Sequence, residues 1–267
     1  MLAVTVIGRS LNPSTWNGSR STSRIRGVEA LIRWRHPTRG VIPPDEFIPV
    51  LEDSGMIIEV GRWVLDQACA QAASWHDMGH PMSMSVNVSM RQLESEALVG
   101  HVGEALRATG LAPGSLTIEI TESTLMRDAS ATVARLDKLK QIGVMIAIDD
   151  FGNGYSSMAY LRQFPVDILK IDRSFVAEVN ETQNSSALVH TLVELGRTLG
   201  LITLAEGIEH DSQLAALRIE QCDSGQGFIF SRPVPAVDVE ALLTSGQYGG
   251  TDARAHPVTT ALSTNAR

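Results

Sequence analysis

Two adjacent carboxylates, Asp149 and Asp150, end the apolar run VMIAI and are followed at once by a turn carrying Gly152 and Gly154. Acids on consecutive residues repel when close and desolvated, so such a pair either raises a pKa or is neutralised by a cation. A plainer use is that one aspartate caps the next helix while the other is solvated. Polar groups recur near the ends of other β-rich runs: Asn87 in VNVS, Glu119 and Glu122 in EITE, Lys170 and Asp172 in LKID, Glu206 and Glu209 in AEGIE, and Gln226. Singly, each has a local explanation: Asn87 can bond its own turn, Glu122 can cap a helix, Glu209 can be a solvated helix-start acid. Repetition in segments far apart in sequence points instead to one shared cavity. Oxygen donors from Glu, Asp and Asn, without His or Cys clusters, suit hard cations such as Mg²⁺ or Mn²⁺ rather than Zn²⁺. Two such ions about 3.5 to 4 Å apart commonly serve in-line attack at phosphorus. Lys170 among these acids can orient water or stabilise developing negative charge, with a structural salt bridge as the alternative. Glu29, set into the apolar run IRGVEALIRW, needs a partner or a task for the same reason.

These residues require elements that bring distant strand ends together. Strand-like runs at residues 83–89, 115–121, 144–150, 166–172 and 201–206 alternate with helical stretches Glu96 to Thr109, Ala129 to Ile142 and Ser185 to Leu199, each closed by a nearby glycine. A further helix is expected near Asp211 to Ile219. With IRGVEALIRW before them and GQGFIF after them the count is seven strands. Strand, helix and strand in alternation mean a parallel sheet. The absence of a Gly-rich dinucleotide fingerprint disfavours a doubly wound sheet and leaves an α/β TIM-like (β/α) barrel, whose C-terminal strand ends form one mouth. Before the regular alternation, Pro44 to Gly55 reads as a short helix, Met56 to Asp77 as an amphipathic one, and HPTRGVIPP as a loop. Residues 1–24, a β-like run at Val4 to Ile7 followed by a Ser- and Asn-rich stretch, are expected to form a poorly ordered N-terminal segment. The barrel domain is expected over residues 25–245, with a disordered tail at 246–267.

Composition excludes other classes. Of 267 residues 43% are hydrophobic, which suits a buried globular core, and the net charge of -8 argues against a broad nucleic-acid or anionic-membrane surface. Cys69 and Cys222 have neither metal-ligand nor disulfide spacing and read as reduced thiols of a cytoplasmic protein. No run approaches the roughly 20 apolar residues that cross a bilayer. No serine stands in a nucleophile-elbow pattern, which leaves acyl transfer without support.

The runs EALIRW (Glu29 to Trp34), VNVS, EITE, DDFGNGYSS, LKID, AEGIE and QGFIFSRP, in that order and spacing, resemble the EAL-domain family of cyclic di-GMP phosphodiesterases over about Gly27 to Pro235. The resemblance implies a barrel that hydrolyses one phosphodiester of cyclic di-GMP to linear pGpG with two Mg²⁺ or Mn²⁺ ions. By the same resemblance Glu29, Asn87, Glu119 and Asp149 are ligands of a first metal, and Asp149 is shared with a second that Asp150 also holds. Lys170 is similar to the residue that positions the attacking water and Glu206 to a general base or outer metal partner. Arg33 matches a phosphate-binding arginine, Glu209 and Gln226 match residues near the substrate, and Glu122 matches the glutamate that steadies the DDFGNGYSS loop, beside which family members form homodimers. This sequence departs from the family where a first strand with a Tyr-Gln-Pro motif is usual, and at Asn153 and Ser224. The barrel is therefore expected to be incomplete at its N-terminal first strand, beside Glu29, unless Val4 to Ile7 or a partner chain fills that edge. Were it left open, the alternative to an enzyme would be a weak or inactive cyclic di-GMP-binding or protein-interaction module.

Overall fold

The computed structural model describes residues 2–7, 25–152, 161–179 and 183–245. Asn153, the rest of the DDFGNGYSS loop, most of the stretch expected to be poorly ordered and the tail from residue 246 lie outside the described residues. The strands are β1 (Leu2–Ile7), β2 (Gly27–His36), β3 (Gly40–Ile42), β4 (Ser83–Asn87), β5 (Leu116–Thr121), β6 (Met145–Phe151), β7 (Ile168–Ile171), β8 (Ile202–Ala205) and β9 (Ser224–Gly225). They form one sheet in the order β1-β2-β4-β5-β6-β7-β8-β9, with β3 paired to β2. From β2 through β9 along this path every neighbouring pair is parallel. The helices are α1 (Pro44–Ser54), α2 (Ile57–Asp77), α3 (Met90–Glu94), α4 (Ala97–Thr109), α5 (Glu122–Met126), α6 (Ala129–Ile142), α7 (Arg173–Ala177), α8 (Gln183–Leu199), α9 (Asp211–Ile219) and α10 (Ala236–Ser245). Helices returning between parallel strands make the molecule a TIM-like (β/α) barrel, as the alternation predicts.

The hydrophobic pattern explains why the strands sit where they do. Leu116, Ile118, Ile120, Ile146, Ile148 and Leu169 are essentially inaccessible, because parallel strands are covered on both faces. Burying each such side chain contributes about 1.5–3 kcal/mol. Outside them α2 buries Val64, Leu65, Ala68, Cys69, Ala72 and Trp75, one side of a helical wheel, against the sheet. Helix α10 is latched to α2: Gln71 Nε2 and Trp75 Nε1 donate to Glu240 Oε1 at 3.3 and 3.2 Å. Cys69 and Cys222 are free and buried. Among the described residues no helix is long and apolar enough to cross a membrane.

One sequence expectation is met in the form it allowed, with Val4 to Ile7 filling the edge, and two change. The edge beside Glu29 is filled by the chain itself: β1 pairs antiparallel with β2 from Leu2↔Trp34 to Ile7↔Glu29. Among the described residues the sheet opens elsewhere, with no ladder between β9 and β1. HPTRGVIPP is not all loop, because β2 runs on to His36 and turns into β3 as a hairpin, through Trp34↔Ile42 and His36↔Gly40. GQGFIF is not a strand. The last strand ends at Gly225, and the chain turns because Gly227 is pressed against the Ile208 backbone, where a Cβ would lie 2.2 Å from its nitrogen and oxygen. Only glycine fits so close an approach.

Candidate active site

The parallel strands all end on one side, and their ends carry the polar residues. Glu29 is the third residue of β2, near the end of its ladder with β4, and is 8% exposed. Its two oxygens accept from different elements: Asn87 Nδ2, at the end of β4, reaches Oε1 at 2.6 Å, and Gln226 Nε2, just after β9, reaches Oε2 at 2.9 Å. The second bond spans the mouth between strands that are not neighbours in the sheet.

Lys170 on β7 forms the second focus. It is 1% exposed, and its Nζ lies 2.7 Å from Glu119 Oε2 of β5, 2.9 Å from Asp149 Oδ1 of β6 and 2.8 Å from Glu206 Oε1 after β8. Burial alone would lower the pKa of this ammonium, but Glu119, Glu29, Glu206 and Asp149 together hold it well above its ordinary value. One cation does not balance that many acids. Burial pushes Glu119 up to about 8; Lys170 opposes the shift, and Glu29 and Asp149 add to it. Glu206 is pushed up to about 7 by burial, against Lys170 and with help from Asp149 and Glu29. Asp150 is raised in the same way, by burial and then by the charges of Asp149 and Asp172.

A surplus of buried negative charge is the condition under which a divalent cation binds well. Oxygens of Asp149, Asp150 and Glu206 all lie within 4.8 Å of one another, a spacing that could hold a metal ion. The donors are all hard oxygens, so the residues present fit a hard divalent cation. Asp150 adopts φ 54°, which turns its carboxyl away from the alternation of β6, while its N–H donates to Asp149 Oδ1 at 3.0 Å. Behind it Glu122, the first residue of α5, accepts from the Gly152 N–H at 2.8 Å. Gly152 has φ 105°, and a Cβ there would meet the Phe175 ring at 2.6 Å, so the turn after the aspartates closes only with glycine.

The remaining expected residues lie on the rim. Arg33 is half-buried higher on β2, where burial lowers its pKa and the Glu29 carboxylate raises it, and its Nη1 donates to the Ile32 carbonyl at 2.9 Å. Glu209 is exposed, and its N–H donates to Gln213 Oε1 at 2.8 Å. Asp172, noted in the sequence but given no task, belongs to the cluster. It is 8% exposed, accepts from Ser174 N and Oγ at 3.0 and 2.6 Å as the N-cap of α7, and acts on Asp150. Its capping role hides it in sequence, since Asp before a helix is common.

Fold and site together define a (β/α)-barrel protein with an acidic, cation-seeking mouth organised around a buried lysine. The chain belongs to the EAL domain family, which it matches over residues 19–233. It is 47% identical over 220 residues to the bifunctional diguanylate cyclase/cyclic di-GMP phosphodiesterase MucR of Pseudomonas aeruginosa, covering 82% of this chain and 32% of that protein. It is 41% identical over 225 residues to the cyclic di-GMP phosphodiesterase NbdA of the same organism, covering 84% of this chain and 29% of that protein. The chain thus spans about a third or less of the length of these relatives. Among solved structures, the MucR phosphodiesterase in complex with c-di-GMP superimposes with a TM-score of 0.82 at 43% identity, over 89% of this chain and 94% of that one. The EAL enzyme Bd1971, bound to cAMP and cyclic-di-GMP, gives 0.83 at 31% identity, over 91% of this chain and 64% of that one.

Proposed function

We propose that this chain is a metal-dependent phosphodiesterase that opens cyclic di-GMP to linear pGpG. The observation that carries the reading is the convergence of Glu119, Asp149 and Glu206 on Lys170, within 2.7–2.9 Å, in a family whose relatives MucR and NbdA bear that activity in their names. The cations are Mg²⁺ or Mn²⁺: Glu29, Asn87, Glu119 and Asp149 would hold one, and Asp149 and Asp150 a second. Bound there, they would polarise the phosphoryl oxygens and lower the pKa of water.

The chain's own groups supply the rest. Lys170 donates hydrogen bonds into the centre of the acids and orients the attacking water there. Glu206, whose carboxylate lies 2.8 Å from Lys170 Nζ, accepts the proton that this water gives up as its oxygen bonds to phosphorus, while the opposite P–O ester bond breaks and the leaving sugar oxygen takes a proton from solvent. Asn87 and Gln226 each donate to Glu29, which fixes its carboxylate in one orientation. Arg33 takes a substrate phosphate, and Glu209 and Gln226 border the ligand. Glu122, through Gly152, holds the turn that places Asp149 and Asp150, and the loop that follows is the surface through which we expect a homodimer. The setting is cytoplasmic, where such a nucleotide signal is made and read.

The test is direct: purified chain is incubated with cyclic di-GMP and Mg²⁺ or Mn²⁺, and pGpG is followed by chromatography. Product that appears with the metal and stops with chelator supports the reading. The competing reading of an inactive binding module rested on an unfilled first strand, and β1 occupies that edge.

A further inference from the structure

The inner wall of the barrel below the mouth is small and polar. Asn87 and Glu119 face the interior, where they meet Glu29 and Lys170. Side chains alternate along a strand, so Ser85 and Thr117, two residues earlier on β4 and β5, face inward as well, about 7 Å deeper. The parallel register sets Glu29, Ser85 and Thr117 side by side across three strands, through Glu29↔Ser85 and Ser85↔Thr117. Neighbouring strands lie about 4.8 Å apart, so this row is a carboxylate followed at short range by two hydroxyls. Ala147, the residue of β6 beside Glu119, adds little bulk. Barrels of this fold usually fill such layers with Val, Ile or Leu.

The layer has both an unmet polar group and room beside it. Thr117 is 3% exposed, and among the described residues neither its hydroxyl nor that of Ser85 has a hydrogen-bond partner. By contrast, the buried Thr203 hydroxyl donates to Asp223 Oδ2 at 2.9 Å, and Ser224 Oγ donates to the Thr203 carbonyl at 3.1 Å. Ser85 is partly exposed although Met84 and Val86, which point the other way, are each 1% exposed, so the space beside it lies inside the barrel. A buried hydroxyl with no protein partner is costly, and polar interiors with room commonly meet the need with a bound water.

We propose that Ser85 and Thr117 hold one ordered water inside the barrel, which accepts from both hydroxyls and donates to the carboxylates of Glu29 and Glu119. This rests on the metal-dependent reaction proposed above, in which those two carboxylates hold a cation. Glu29 accepts one bond at each oxygen, from Asn87 and Gln226, and Glu119 gives Oε2 to Lys170, so both acids keep lone pairs for a further donor. A hydrogen bond behind a metal-binding carboxylate fixes its orientation without touching the metal. Ser85 and Thr117 lie below the acids' mouth-side oxygens and act only through them, which makes both positioning residues.

Thr117→Val, which keeps the branched shape and removes the hydroxyl, is compared with Thr117→Ser, Ser85→Ala and wild type. Each is titrated metal-free with Mn²⁺ by calorimetry, unfolded with urea in chelator, and assayed for cyclic di-GMP hydrolysis across Mn²⁺ concentrations. The Kd for Mn²⁺ is expected to rise about tenfold in Thr117→Val and in Ser85→Ala and to stay within about twofold of wild type in Thr117→Ser. Saturating Mn²⁺ is expected to return kcat of Thr117→Val to within about twofold of wild type, with KM for cyclic di-GMP unchanged. Because both changes remove the same water, the double variant should bind Mn²⁺ about tenfold more weakly than wild type rather than about a hundredfold. A Thr117→Val protein that gains stability in chelator and keeps wild-type Mn²⁺ affinity would show a stranded hydroxyl and overturn the inference. Thr117→Ser binding Mn²⁺ as weakly as Thr117→Val would place the effect in packing and overturn it too. In either case a wild type that binds Mn²⁺ and forms pGpG leaves the proposed reaction standing. If wild type neither binds Mn²⁺ nor forms pGpG, both fall.

Discussion

Lys170 and Glu119, fifty-one residues apart in sequence, meet at 2.7 Å with both side chains buried. A buried pair of this kind is costly to break, because removing one partner strands the other charge and costs about 3–5 kcal/mol. Lys170→Met leaves Glu119, Asp149 and Glu206 facing one another. In chelator the variant is expected to melt well below wild type, and millimolar Mg²⁺ is expected to recover more of the loss than it adds to wild type. Thermal melts of both proteins with and without the cation check this; an equal Mg²⁺ response would separate Lys170 from the metal-seeking charge. Hydrolysis of cyclic di-GMP by Lys170→Met is expected to fall at least a hundredfold, within the range of a lost general acid–base or water-positioning group.

The acids give the metal-free protein a pH dependence of definite sign. Glu119 and Glu206 have folded-state pKa values of about 8 and about 7, above the ordinary 4.5. A carboxyl raised by folding binds more protons in the folded than in the unfolded state between those limits, so stability falls as pH rises through that window. Lys170, raised above 10.5, keeps its contribution throughout and loses it only at higher pH. Urea unfolding in chelator at pH 5.5, 7 and 8.5 is expected to give decreasing stability, and saturating Mg²⁺ to flatten the trend. A metal-free protein that is most stable at pH 8.5 would contradict the surplus of negative charge in the mouth.

Glu122 and Gly152 are coupled through one hydrogen bond, 2.8 Å from backbone N–H to carboxylate. Glu122→Ala leaves that N–H without its acceptor, and Gly152→Ala drives a Cβ into the Phe175 ring at a backbone angle that disfavours side chains. Each is expected to destabilise by about 1–3 kcal/mol and to weaken metal binding. Because they disturb the same turn, the double variant should cost less than the sum. Denaturant titration of the four proteins measures the coupling, and strict additivity would show that the turn is held by other contacts.

Far from the mouth, Glu240 latches α10 to the inaccessible Trp75 of α2. Glu240→Ala leaves the indole N–H buried without this acceptor, at an expected cost of about 1–3 kcal/mol in stability. KM and kcat are expected to stay at their wild-type values. A denaturation midpoint equal to that of wild type would show that the latch contributes nothing.

Much of this was legible in sequence because a parallel barrel ties position to chemistry. Most apolar runs end at the mouth, so Asn87, Glu119, Asp149, Lys170 and Glu206 could be grouped before any distance was known, whereas Glu29, inside its run, joined them only through the family resemblance. What escaped depended on contacts that no local pattern carries. The end of β9 is set by Gly227 against the Ile208 backbone, a tertiary approach that overrides the β-rich look of GQGFIF. Strand β1 finds its place by pairing with β2 across a stretch of unrelated composition, and β3 exists only as the return arm of β2. Asp172 was visible only as an acid at the end of LKID, and its influence on Asp150 comes from two strand ends meeting in space.

In the function proposed above, the acids around Lys170 hold cations for phosphodiester cleavage. The most direct measurement follows pGpG formation from cyclic di-GMP by wild type and by Asp149→Asn, with Mg²⁺ or Mn²⁺ present and then removed by chelator. The expected result is product from wild type only while the metal is present, and, with the metal present, a rate at least a hundredfold lower in Asp149→Asn. Turnover that persists in chelator, or an Asp149→Asn rate equal to that of wild type, would contradict the account.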